Sequence, residues 1–118
     1  MFIMKVLFHI DDSTRWTMTL GNAANLLQYG VSFGTPLKLE IVANGPAVRD
    51  LRFETAEKTG IATQLESLAS SVRICACNNA LKANDIAVGE LYPFVQVVPA
   101  GVAEIALRQD DGFAYIKP

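Results

Sequence analysis

The residues best suited to covalent chemistry in this chain are its two cysteines, Cys75 and Cys77. They close an apolar, strand-like run over residues 72–76 and are followed by Asn78 and Asn79, where a helix-like segment begins. In an open parallel α/β sheet such a junction is the carboxyl end of a strand, where these folds place their ligands and their chemistry. If the protein performs covalent chemistry, we expect it at this junction.

The two thiols have different expected roles. Residues two apart in a strand share a face, with Cα atoms about 6.6 Å apart. That separation is at the upper limit of disulfide geometry, about 4.4–6.8 Å, so a Cys75–Cys77 bond would be strained. Cys75 lies inside the strand and is predicted to be a small buried hydrophobe. Cys77 meets the free amides and the dipole of the next helix, which favour an exposed thiolate. The alternative is that both are buried structural cysteines.

Acidic and hydroxyl residues follow the first predicted strand. Asp11 and Asp12 resemble the acidic pair of phosphoacceptor receiver domains, but such a site needs an aspartate where Cys77 stands, so they are interpreted as helix caps. Ser13 and Thr14 precede a helix and suit a phosphate. No glycine follows them, which argues against a flavin-phosphate loop. A nucleotide- or flavin-binding domain is a third interpretation, and it predicts a chromophore or a bound phosphate on purification.

Two further polar residues, His9 and Asn25, are candidate ligands. His9 lies within an apolar strand and is predicted to be a hydrogen-bonded core histidine. A zinc site made of His9, Asp11, Cys75 and Cys77 has no support from their spacing, so we predict neither a metal nor a cofactor. Asn25 falls on or beside the apolar stripe of the first helix, where it either bonds across to a loop or is solvated.

Strand-like and helix-like segments alternate along the chain. Strands are predicted over residues 5–10, 37–42, 72–76, 94–98 and 113–116, the second of them nearer an edge of the sheet because its residues alternate. Helices are predicted over residues 15–29, 47–51, 61–69, 78–84 and 102–109, with Gly30 ending the first. Residues 52–60 are predicted to be a loop or a frayed helix. This alternation indicates a parallel sheet covered on both faces.

Composition restricts the classes of function. Hydrophobic residues make up 51% and charged residues 19% of the 118, which predicts a single domain over residues 1–118 with a large buried interior. The net charge of −2 without a basic cluster argues against nucleic acid as a partner. No apolar run reaches the roughly 20 residues of a membrane span. Neighbouring thiols without signal-peptide features predict a cytoplasmic protein.

Six sequence blocks together resemble the DsrE/DsrF-like family, and more closely its short stand-alone branch with an Ala-Cys-Gly-Asn-type motif. The blocks are KVLFHI (5–10), NLL (25–27), IVANGPAV (41–48), ACNNAL (76–81), VVPAGV (97–102) and GFAYI (112–116). They occur in the family's order and cover nearly the whole chain, which makes them far more specific than Cys-x-Cys alone.

The resemblance implies a three-layer α/β/α sandwich with a five-stranded, mainly parallel sheet, and homo-oligomers that are commonly trimers or hexamers. It also implies sulfur handling, with a persulfide carried on the cysteine that matches Cys77 and exchanged with sulfur donor and acceptor proteins. Asn78 stands where the branch usually has glycine, and asparagine tolerates a left-handed turn better than most residues. Binding groups are predicted at Asp11, Asn25, Asn78 and Asn79.

The leading hypothesis from the sequence is therefore a sulfur-carrier or sulfurtransferase-like subunit that uses Cys77. The alternative is an oligomeric module that binds a small molecule or a protein without a covalent step. Reactivity of the Cys77 thiol discriminates between the two.

Overall fold

The computed structural model describes all 118 residues and is built around one five-stranded sheet. The strands are β1 (Met4–Ile10), β2 (Leu37–Ala43), β3 (Val72–Cys77), β4 (Val95–Val98) and β5 (Ala114–Ile116). They are ordered β4-β3-β2-β1-β5, and all four neighbouring pairs are parallel. All carboxyl ends of the strands therefore meet at one edge of the sheet.

Five α-helices connect the strands. They are α1 (Trp16–Phe33), α2 (Phe53–Thr59), α3 (Ala62–Leu68), α4 (Asn78–Ala83) and α5 (Gly101–Asp110), with short 3₁₀ helices at Ser13–Arg15, Gly45–Leu51 and Val88–Glu90. No helix combines the length and the hydropathy that a membrane crossing requires.

The helices cover the two faces of the sheet unequally. A large core packs one face against residues from α1 to α4, with Trp16, Leu20, Leu65 and Leu81 among its most buried members. The opposite face is covered by α5 alone, over a smaller core of Leu7, Val42, Cys75, Val98, Ile105 and Phe113. This is the predicted three-layer α/β/α sandwich, with an entirely parallel sheet.

The predicted position of β2 near an edge is wrong, because β2 is the central strand. The prediction rested on the alternation of Lys38 and Glu40 with leucine and isoleucine. Lys38 is exposed at the start of the strand, but Glu40 is only 3% exposed. Because Glu40 is polar but buried, β2 has the alternating pattern of a strand with one face in solvent although both of its faces are covered.

The predicted end of α1 at Gly30 is also wrong. Gly30 is buried inside the helix, where an added Cβ would lie 2.7 Å from Leu37 Cδ1 and 2.8 Å from the Thr35 carbonyl oxygen. The helix ends at Gly34, whose φ of 62° is the left-handed conformation typical of a C-terminal cap. Gly30 therefore permits close packing of α1 on the following turn, and Gly34 ends the helix.

The segment 52–60, predicted to be a loop or a frayed helix, forms the helix α2. Its only buried residue is Ala56, so it carries almost no apolar periodicity. An ion pair between Glu54 and Lys58, 3.2 Å apart and one turn from each other, stabilises it locally, and Gly60 caps it at a φ of 81°. Short helices that bury one small side chain are not visible in a hydropathy pattern.

Candidate functional site

Cys77 lies at the junction predicted from the sequence. It is the last residue of β3 and the N-cap residue of α4, with extended backbone angles (φ −69°, ψ 119°). Asn78 is already the first helical residue. Its φ is negative, since Asp85 is the only non-glycine residue with a positive φ. A left-handed turn at Asn78 is therefore not used, because the chain enters the helix directly from the strand.

The Cys77 side chain is enclosed, contrary to the exposed position expected from the sequence. It is 6% exposed and packs with the larger core, and it lines none of the four surface cavities. The first residue of α5, Gly101, lies close to Cys77. A Cβ on Gly101 would lie 3.2 Å from both Cys77 Cβ and Asn44 Cβ, so any larger residue here would have to displace these neighbours by a few tenths of an ångström.

A hydrogen-bonded network next to this glycine contact was missed by the sequence analysis. His9 of β1 places Nε2 2.9 Å from Asn44 Oδ1 and Nδ1 2.5 Å from the Tyr115 hydroxyl of β5. Because Asn44 Oδ1 can only accept, Nε2 donates to it, and the other ring nitrogen, Nδ1, shares a hydrogen bond with the Tyr115 hydroxyl. The predicted hydrogen-bonded state of His9 is confirmed, although the ring is half-buried rather than in the core.

The acidic pair after β1 has two separate roles. Asp12 accepts a hydrogen bond from the Thr14 amide at 2.9 Å, which confirms the predicted helix cap. This bond and a second one from the Thr14 hydroxyl hold the pKa of Asp12 below its ordinary value. The predicted cap role of Asp11 is wrong, because this side chain pairs with Lys117 at 3.1 Å, at the same edge of the sheet as Cys77. Its predicted role in binding stays a prediction.

The predicted binding asparagines do not form one cluster. Asn78 is half-buried beside Cys77, and Asn79 is exposed on the first turn of α4. Asn25 lines a different cavity of about 290 Å³, between α1 and β5, together with the aromatic rings of Phe8 and Tyr29. The structure thus groups two of these asparagines with the thiol and places the third elsewhere.

Cys75 occupies an environment unlike that of Cys77. Its side chain is fully buried in the smaller core, beneath α5, as predicted. Burial, followed by the neighbouring Glu40 charge, raises the pKa of the Cys75 thiol to about 12. Glu40 is itself buried, and burial together with Glu104 raises the pKa of its carboxyl to about 8. The Cys75 thiol is therefore protonated at neutral pH.

We predict that alkylation of the native protein modifies Cys77 before Cys75. The reason is that Cys77 retains some exposure, whereas Cys75 has none and a raised pKa, and the thiolate is the reacting species. Timed labelling with iodoacetamide followed by peptide fragmentation measures the order. Faster labelling of Cys75 would show that the assigned environments of the two thiols are wrong.

A second prediction concerns Gly101. The Gly101→Val substitution inserts a branched side chain where even a Cβ lies 3.2 Å from Cys77 and Asn44. We expect a loss of about 1–3 kcal/mol in unfolding free energy, as for other overpacked sites, and faster alkylation of Cys77 as α5 is displaced.

Gly21→Val is the matched control for Gly101→Val, because an added Cβ at Gly21 meets nothing within 4 Å. Valine is a better helix former than glycine, so stability should not fall and Cys77 labelling should not change. Equal stability losses in the two variants, from urea denaturation, would contradict the close approach of α5 to the thiol.

Fold and site together define a class: an all-parallel α/β/α protein with one cysteine at a strand end, enclosed by the N-terminus of a helix. The DsrE/DsrF-like family model matches residues 4–118, so the chain belongs to the DsrE/DsrF-like family. No curated protein matches the chain. Among solved structures it is similar to the protein of unknown function MTH1491 from Methanobacterium thermoautotrophicum. The identity is 33% and the TM-score 0.84, over 98% of this chain and 99% of that one.

Proposed function

We propose that the protein is a sulfur carrier, or a sulfurtransferase-like subunit, that holds a persulfide on Cys77. The observation that carries the proposal is the position of Cys77, at the end of β3 and at the N-cap of α4. The first amides of a helix have no partner within it and stabilise negative charge, which a thiolate or a persulfide supplies. Membership of the DsrE/DsrF-like family, which is linked to sulfur relay, supports the same function.

The proposed reaction is an exchange of one sulfur atom without net oxidation. The Cys77 thiolate attacks the outer sulfur of a donor persulfide, forming a new S–S bond on Cys77. The S–S bond of the donor breaks, and its electron pair leaves on the donor thiolate. An acceptor thiolate then attacks the outer sulfur on Cys77 in the same manner, which regenerates the Cys77 thiolate. Donor and acceptor are proposed to be cysteine-bearing proteins in the cytoplasm.

The environment of Cys77 favours sulfur transfer over hydrolysis. A hydrolase would need a base free to activate water. The single histidine of the chain, His9, has both ring nitrogens in hydrogen bonds, one with Asn44 and one with Tyr115. Attack by a thiolate on the outer sulfur of a persulfide requires no base that activates water, because the thiolate itself is the nucleophile.

Access to the thiol requires a local movement in this mechanism. Cys77 is 6% exposed, and the start of α5 packs on it through Gly101. The neighbouring residues Pro99 and Asn79 are exposed, so displacement of the β4–α5 turn would open the sulfur toward solvent.

Intact mass after incubation with a persulfide donor tests the proposal. The reduced protein should gain the mass of one sulfur atom, and a reductant should remove it. A protein whose mass does not change, under conditions in which the donor loads a reference thiol, would overturn the proposal.

One observation favours the alternative of a binding module without covalent chemistry. The thiol is enclosed, whereas a mostly apolar cavity of about 290 Å³ is open between α1 and β5. An unreactive Cys77 in the mass experiment would make this cavity, rather than the thiol, the functional site.

We also predict that the protein forms a homo-oligomer, a trimer or a multiple of it. Several large apolar side chains are exposed in the single chain, among them Phe2, Tyr29, Phe33, Phe53, Val102 and Leu107. Burying such residues against further copies removes apolar surface from water. Light scattering coupled to gel filtration measures the mass, and a monomer at micromolar concentration would contradict the prediction.

A further inference from the structure

A second cluster of reactive side chains lies on the face of the sheet opposite the larger core. Glu40 of β2, Cys75 of β3 and Glu104 of α5 bring one sulfur and two carboxylate oxygens within 4.8 Å of one another. All three residues are buried, with exposed fractions of 3%, 0% and 8% respectively. None of them contributes to the proposed chemistry at Cys77.

The two carboxylates are incompletely satisfied. Oε2 of Glu40 is buried without a hydrogen bond or an ion pair, and Oε2 of Glu104 is buried and meets Arg108 Nε at 3.4 Å outside hydrogen-bond geometry. Buried polar atoms without a partner are rare and costly, since each loses its hydration without compensation. The unpaired oxygen of Glu40 lies within 4.8 Å of a second carboxylate oxygen and a thiol, a position that a cation would satisfy.

We propose that Glu40, Cys75 and Glu104 form a binding site for a zinc-like divalent cation. One sulfur and two carboxylate oxygens suit Zn²⁺, whereas Mg²⁺ and Ca²⁺ prefer oxygen alone. The site differs from the four residues weighed from the sequence, of which it shares only Cys75. It could not be found from spacing, because its ligands come from three separate elements.

The distances allow the cluster to close on an ion. Bonds of about 2.0–2.3 Å to a tetrahedral zinc place its ligand atoms about 3.3–3.8 Å apart. The ligand atoms lie up to 4.8 Å apart, so the longest separation has to shorten by about 1 Å. Rotation of the two glutamate side chains would bring their oxygens closer together. Binding must also expel the Cys75 proton, for which the charge of the ion compensates.

Two arginines border the cluster, and each is ion-paired with one of its carboxylates. Arg73 Nε lies 3.3 Å from Glu40 Oε1, and Arg108 Nε lies 3.4 Å from Glu104 Oε2 without hydrogen-bond geometry. Outer partners that orient a carboxylate are usual around metal ligands. Glu40 also lines a cavity of about 320 Å³, together with Lys38 and both arginines, and an ion would enter the site from this side.

Titration of the reduced, metal-free protein with Co²⁺ tests the site. We expect a thiolate-to-cobalt charge-transfer band in the near ultraviolet, in the wild type and equally in Cys77→Ser. Cys75→Ala should lose the band and weaken Zn²⁺ binding by more than about a hundredfold, beyond the effect of losing an outer partner. Isothermal titration with Zn²⁺ alone gives the affinities.

Glu104→Gln is the second variant, because it keeps the shape of the side chain and the thiol. It should weaken Zn²⁺ binding at least about tenfold while circular dichroism shows a native fold. No charge-transfer band in the wild type, or a band that persists in Cys75→Ala, would overturn the proposal. In the first of these outcomes the two carboxyls share a proton and not a metal ion.

Discussion

The Cys77→Ser protein should fold normally and never gain sulfur from a persulfide donor. The expected loss is complete, because a serine hydroxyl is not appreciably ionised at neutral pH and cannot attack a sulfane sulfur. Cys77 is buried to 94%, and serine has a similar volume, so the packing against Gly101 is preserved. Intact mass spectrometry of the wild type and the variant, treated side by side, measures the effect.

Cys75→Ser is the matched control for Cys77→Ser. It removes the other thiol of the same strand, from a fully buried position that a donor cannot reach. Sulfur loading should persist, although a hydroxyl in an apolar core lowers stability, and Cys75→Ala should change the unfolding free energy by no more than about 1–2 kcal/mol. If Cys75→Ser lost sulfur loading and Cys77→Ser kept it, Cys75 and not Cys77 would be the sulfur-carrying residue.

The Trp16→Ala protein should lose about 3–5 kcal/mol of unfolding free energy, the usual range for deleting a buried tryptophan. Trp16 is 2% exposed at the start of α1, and its Nε1 donates to the Ala47 carbonyl oxygen at 3.0 Å. The substitution leaves a cavity in the larger core and removes the hydrogen bond that joins α1 to the 3₁₀ helix Gly45–Leu51. Urea denaturation followed by circular dichroism measures the loss.

Trp16→Phe separates the two contributions. Phenylalanine fills most of the space but cannot donate to Ala47, so its cost should be clearly smaller than that of alanine. Equal losses in the two variants would indicate that the hydrogen bond, and not the volume of the indole, governs stability at this position.

The order of elements was predictable because most of them carry a strong local signal. The β3–α4 junction follows from an apolar run that ends at a cysteine and two asparagines, and the structure places it at Cys77 and Asn78. Errors arose where a tertiary contact overrode the local pattern. Gly30 allows α1 to pack closely on Leu37 and does not end the helix. Glu40 is buried, although the alternation of its strand is typical of a strand with one face in solvent.

The candidate site was predictable only in its cysteine. Position and family resemblance both selected Cys77, but its neighbours come from other strands. His9, Asn44 and Tyr115 meet because β2, β1 and β5 are adjacent in the sheet, an order that spacing along the chain does not contain. The enclosure of the thiol depends on Gly101, whose role requires the position of α5 on the sheet.

Fragmentation of one tryptic peptide tests the central claim most directly. Trypsin cleaves after Arg73 and Lys82, so both cysteines lie on the peptide ICACNNALK, residues 74–82. The protein is treated with a persulfide donor and capped with an alkylating reagent before digestion, and fragment ions between the two cysteines then locate the added sulfur. We expect it on Cys77 alone. Sulfur on Cys75, or on neither cysteine, would contradict the proposal that Cys77 carries it.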